Sequence, residues 1–165
     1  MRVLNNEMLI NHGNIEGRKI LIEIIETGLS AADPYTNTRA LTRMEGSKLI
    51  FEGLDFEPEG DPRSGPAVYD LDKIDRVFIF GVGKGIQKIT KALEDLLGNY
   101  LTDGHIVAKH GDEIIMEKIG VTLAGHPAPD EFCVIGCQKI VDIINEAKLT
   151  NNDLSSQQSV TVFLR

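Results

Sequence analysis

The sequence predicts an α/β domain of three layers, with a mainly parallel sheet and N-terminal helices packed alongside. Three observations carry this. From residue 75 onward β-rich runs alternate with helical patterns, the order that builds parallel strands joined by crossovers. The length of 165 residues, with 42% apolar and 25% charged positions, suits one domain with a core of its own. Aromatic residues are only 5% and Trp is absent, so that core has to rest on Ile, Leu and Val.

Residues 1–16 are polar, with Asn and Gly among few apolar positions, and predict a loose N-terminal arm. Between Arg18 and Glu26, residues Ile20, Leu21, Ile24 and Ile25 fall on one helical stripe, and Thr27-Gly28 closes the helix. Ala32-Asp33-Pro34-Tyr35 reads as a turn into a second helix from Thr36 to Met44. Lys48 to Glu52 is a short strand, and Glu57 to Pro66 a solvated loop of prolines, glycines and acids. Asp75 to Phe80 is a β-run that stops at Gly81. The helix over 85–98 places Ile86, Ile89, Leu93, Leu96 and Leu97 inward, with Lys88, Lys91, Glu94 and Asp95 outside, and Gly98 ends it. His105 to Ala108 and Val121 to Ala124 are the next strands. A helix from Asp130 to Ala147 is expected to bury Val134, Cys137, Val141 and Ile144, and Val160 to Leu164 to form a last strand.

Charge and processing signals narrow the setting. Seventeen basic against 25 acidic residues give a net charge of −8, which argues against a nucleic-acid partner but leaves room for a local basic pocket. The first seven residues are polar and no apolar signal region follows them. The run Ile20 to Ile25 is interrupted by Glu23 and is far too short for a membrane span, so a cytoplasmic protein with no membrane partner is expected. Cys133 and Cys137 are four apart, which is neither a redox motif nor half of a zinc site; two small buried helix residues are expected. His12, His105 and His110 have no metal-binding spacing, and no metal site is expected.

Two loops carry the candidate chemistry. Gly81-Val82-Gly83-Lys84-Gly85 joins a strand to a helix: glycines allow a close backbone approach, free N–H groups at the helix start attract an anion, and Lys84 adds a positive charge there. It is not a P-loop, because Phe78 stands at the first Gly position and Gly85 at the hydroxyl position. It is not a dinucleotide fingerprint either, because Ile86 replaces the last Gly and Lys109-His110 occupy the place of the acid. The second loop is Ala124-Gly125-His126-Pro127-Ala128-Pro129-Asp130-Glu131, stiffened by prolines, with two acids where a helix start favours them as caps. Both loops follow strands, so in a parallel sheet both emerge at its carboxyl edge, where ligands bind.

These residues resemble a known family. Gly81-Val82-Gly83-Lys84 after a β-run, the Gly-His-Pro-Ala-Pro-Asp-Glu segment about forty residues on, and the upstream Leu29-Ser30-Ala31-Ala32-Asp33-Pro34 are similar to the N-terminal domain of the glycerate 2-kinase family of the MOFRL-associated type. The likeness covers residues 17–154. It implies a Rossmann-like domain, a second domain closing the cleft, and conversion of glycerate and ATP to 2-phosphoglycerate and ADP with Mg²⁺. By resemblance Lys84 is the family's catalytic lysine. Gly81, Gly83, Gly85, His126, Asp130 and Glu131 are then candidates for holding substrate or phosphate.

The likeness stops after Leu154. Residues 155–165 contain no glycine, whereas the family continues with a strand and a glycine-rich phosphate loop. Codons for this tail, read after one added G, can spell Val-Phe-Thr-Thr-Val-Gly-Asn-Gly-Phe-Ser-Ser, which predicts a frameshifted or interrupted product lacking the second domain. The expectation is an N-terminal piece of a glycerate 2-kinase, inactive alone because the full ATP and Mg²⁺ site is not in the chain, acting toward a small hydroxy acid and open to self-association. Its alternatives are an anion-binding or regulatory module without catalysis and, more weakly, a nicotinamide-dependent oxidoreductase.

Overall fold

A computed structural model describes residues 3–52, 66–151 and 159–164. The elements run α1 (Asn6–Ile10), α2 (Ile15–Ala31), α3 (Pro34–Leu41), β1 (Thr42–Glu45), β2 (Lys48–Phe51), β3 (Ala67–Asp70), β4 (Arg76–Val82), α4 (Ile86–Leu97), β5 (Leu101–Lys109), β6 (Gly120–Ala124), α5 (Glu131–Asn151) and β7 (Ser159–Leu164). The loop expected over 57–66 lies outside the described residues except for Pro66.

Four strands form a parallel sheet in the order β6-β5-β4-β7. Alternation along the strands gives it two apolar faces, as a covered parallel sheet requires. On one face Val77, Ile79, Ile106 and Ala108 pack with Ile86, Leu93 and Leu97 of α4 and with Leu49 of β2. Helix α5 covers the other face, where a Cβ on Gly136 would stand only 2.6 Å from Val107 Cγ2 and 3.0 Å from Thr122 Cβ. Arg76 pins the far end of α5 by donating to the carbonyl of Ala147 at 2.9 Å. The domain is therefore α/β, with a helical layer on each side of the sheet. The backbone of β7 runs beside β4, in register Val77 with Val160 and Ile79 with Val162.

Several local expectations are corrected. Strands β1, β2 and β3 form a separate antiparallel sheet that sequence alone did not reveal. The helix expected from Thr36 to Met44 ends at Leu41, because Thr42–Glu45 pairs with Lys48–Phe51 across a turn containing Gly46 at φ +61°. Helix α1 lies within the segment read as a loose arm, and α2 begins at Ile15 and continues past Gly28 to Ala31. The stripe of α2 does not become core: Ile20, Leu21, Ile24 and Ile25 stay exposed, and Ile22 is the buried residue of the helix. Of the N-terminal helices it is α3 that packs on α4.

Helix α5 also faces the sheet differently. Val134 is 71% exposed, and Cys137 and Val141 are exposed as well, while Gly136 is buried. The face against the sheet is set by the close approach at Gly136 and runs through the half-buried Cys133, Ile140 and Ile143. Glu94, expected outside on α4, is 4% exposed. No helix among the described residues is long and apolar enough to cross a membrane.

Candidate functional site at the carboxyl edge of the sheet

Strands β4, β5 and β6 end side by side, and their ends frame an open crevice. Its walls come from Val82 at the end of β4 and Gly83 and Lys84 after it, from Lys109 at the end of β5, and from Gly125 and His126 after β6. Cys133, in the first turn of α5, lines it as well. The two loops singled out by sequence thus meet at one place, and the topology is the cause: parallel strands deliver their following loops to the same edge.

The glycines of the first loop serve different purposes. Gly81 is buried inside β4, paired with Ile106. Gly83 has φ +144°, a conformation that favours glycine, and its N–H bonds the carbonyl of Val107 at 3.0 Å, which ties the turn to β5. Gly85 is the N-cap of α4 with no side-chain hydrogen bond, and open space surrounds the position a Cβ would take. The first turn of α4 contains no acid to offset the positive end of the helix, and the Ile86 N–H bonds the carbonyl of Gly83 at 3.4 Å. Lys84 is exposed beside it, and it also borders a neighbouring open hollow lined by Gln87 and Lys88.

The second loop is organised around Asp130. Its carboxylate accepts the N–H of Cys133 at 3.3 Å and that of Gly125, and its second oxygen lies 2.7 Å from His110 Nε2. The Gly125 N–H, outweighing the opposing effect of burial and aided by His110 and the Cys133 N–H, draws the Asp130 pKa down to about 2. Asp130 is thus an ionised anchor behind the crevice wall. A Cβ on Gly125 would press into the Ala128 carbonyl and stand 3.1 Å from Asp130 Cγ, so the turn closes only with glycine. His126, joined to Pro127 by a cis peptide bond, is exposed at the crevice. Glu131 is exposed at the start of α5 and does not line the crevice.

The structure therefore brings Gly83, Lys84 and His126 together, sets Gly81 beneath and Asp130 behind them, and leaves Glu131 outside. Lys109 and Cys133 belong to the crevice, and His110 to its support, though none was a sequence candidate for this site. For Lys109 and His110 the signal was present: they follow directly on the β5 run. Lys109 is held by Asp112 at 2.6 Å.

Comparison with known proteins adds a family. Residues 20–155 match the model of a domain of unknown function, DUF4147. The chain belongs to this family. Among curated relatives, a glycerate 2-kinase from Pyrococcus horikoshii is 29% identical over 137 residues, covering 83% of this chain and 27% of that protein. A D-glycerate 2-kinase from Thermotoga maritima is 31% identical over 81 residues, covering 48% of this chain and 19% of that protein. The crystal structure of the PH0495 protein from Pyrococcus horikoshii superposes with a TM-score of 0.60 at 26% identity, over 78% of this chain and 26% of that one. This DUF4147 chain spans about a quarter or less of the length of these relatives.

Proposed function

We propose that the chain contributes the lysine-bearing, substrate-facing part of an ATP-dependent glycerate 2-kinase, the enzyme that turns glycerate and ATP into 2-phosphoglycerate and ADP. The observation that carries this reading is that Lys84 and His126 line one crevice at the carboxyl edge of the sheet. The names of the two relatives supply the substrate class.

The chemistry follows from charge. Phosphoryl transfer is served chiefly by positioning and by cations against the charge on the transferred oxygens. Lys84 supplies such a cation on a short turn, and the start of α4, which has no acid in its first turn, suits a carboxylate or phosphate oxygen. His126 closes the opposite wall and can donate to a substrate oxygen. Among the described residues no three His, Cys, Asp or Glu side chains stand together to hold a metal ion. The residues described therefore supply no metal-binding cluster of their own for the Mg²⁺ of the family reaction.

The test is calorimetric titration of the chain with D-glycerate, 2-phosphoglycerate and inorganic phosphate. Selective, saturable binding of the first two is expected, weakened at least about tenfold by Lys84→Ala. Equal affinity for inorganic phosphate would favour a general anion-binding module instead. Absence of binding, or a Lys84→Ala protein that binds normally, would sink the proposal.

A further inference from the structure

His110 ties together three elements that meet at the crevice. Its main-chain N–H bonds the carbonyl of Ala124 at 2.9 Å, carrying the β5–β6 pairing one step past the strands. Its ring meets Phe132 edge-on, with centroids 5.6 Å apart and planes at 84°. Its Nε2 lies 2.7 Å from Asp130, whose carboxylate is ionised, so Nε2 is the donor. The same carboxylate holds the N–H groups of Gly125 and Cys133, and both of those residues line the crevice.

From this arrangement we infer that His110 is a positioning residue for the crevice: by donating to Asp130 it orients the carboxylate that fixes Gly125 and Cys133, and so sets the wall that an anionic ligand meets opposite Lys84. The inference rests on the proposed substrate-binding role of that crevice. Asp130 has two oxygens and three N–H partners, two of them from the wall itself. Without the third it is free to turn about its side-chain bonds, and the Gly125–His126 turn moves with it. A displacement of about 1 Å at such a wall is enough to weaken a bound ligand substantially.

The role demands an N–H, whereas packing against Phe132 demands a ring. Three variants of the full chain separate these. His110→Gln keeps an N–H donor at the reach of Nε2 but has no ring, His110→Phe keeps a ring but no donor, and His110→Ala has neither. In titrations with 2-phosphoglycerate, His110→Gln is expected to stay within about twofold of the unsubstituted chain, and His110→Phe and His110→Ala to weaken about tenfold. Circular dichroism of each variant confirms that the fold is retained, as expected for an exposed side chain. A Phe variant that binds normally, or a Gln variant as weak as the Ala variant, would overturn the role. Lys84→Ala, run in parallel, tests the crevice separately. If that substitution has no effect, or the unsubstituted chain does not bind, the proposed function falls and takes this inference with it.

Discussion

Glu94, buried on α4, accepts the main-chain N–H of Lys118 at 2.7 Å, across 24 residues of sequence. The same carboxylate takes the N–H groups of Glu117 at 3.2 Å and Ile119 at 3.0 Å, and Lys91 closes its remaining side at 3.2 Å. One side chain thereby fastens the segment that leads from the end of β5 to the start of β6. Burial pushes the Glu94 pKa up, but the three N–H groups and the Lys91 ammonium outweigh it and hold the carboxyl below its ordinary range. Glu94→Ala strands these donors and is expected to cost about 3 kcal/mol, read as a lower urea midpoint. Because the folded pKa is depressed, the carboxylate stabilises fully above the ordinary glutamate value, and that stabilisation is lost as pH falls through the folded one. Glu94→Gln should therefore destabilise the chain most at neutral pH and least in acid. A constant difference between the two proteins across pH would contradict this account.

A second pH dependence has the same sense but a higher window. His105 is buried on the α5 side of the sheet, with Nε2 2.8 Å from Thr122 Oγ1. Burial and, after it, the charge of Lys139 lower its pKa, with Asp103 opposing. The folded state therefore favours the neutral ring. Stability from this site is complete above the ordinary imidazole value of about 6.5 and declines as pH falls from there toward the lower folded pKa. The urea midpoint should drop between pH 7.5 and the onset of carboxylate titration, and His105→Gln should flatten that drop. An unchanged slope in the variant would assign the decline to other groups.

The parts legible in the sequence are those whose cause is local. A β-run, a glycine break and an apolar stripe at helical spacing lie next to one another from Asp75 to Gly98, and the structure forms β4, the turn and α4 there. The crevice was legible for a related reason, since a parallel sheet sends the loops after β4 and β6 to one edge. What was hidden depends on partners far along the chain. Glu94 reads as a solvated acid until Lys118 and Ile119 come to it. His110 and Asp130 are twenty residues apart and share no motif. Gly81, Gly83 and Gly85 look equivalent in sequence, but only Gly83 has a positive φ. The stripe of α2 predicted a buried face and the structure leaves it exposed. Periodicity shows that a helix has an apolar side, and not what that side meets.

Helix α5 makes the same point in a form that can be measured. Its apolar residues are spread around the helix, so spacing alone could not choose between the Val134–Cys137–Val141 side and the side one position away. Gly136 decides it. A methyl group there would stand 2.6 Å from Val107 Cγ2 and 3.2 Å from Thr122 Cγ2, and neither β-branched side chain can turn aside within a parallel sheet without disturbing its neighbours. Gly136→Ala forces the helix outward, and overpacking of this kind costs about 2 kcal/mol even after helix propensity favours alanine by about 1 kcal/mol. Cys133, three residues earlier on the same side, lines the crevice and must move with the helix. The variant should therefore melt lower and also bind 2-phosphoglycerate more weakly. By contrast Val134→Ser, on the exposed side, should alter the urea midpoint by less than about 0.5 kcal/mol equivalent. If Val134→Ser proves the more damaging of the two, α5 presents the other face to the sheet and the placement of Cys133 at the crevice falls with it.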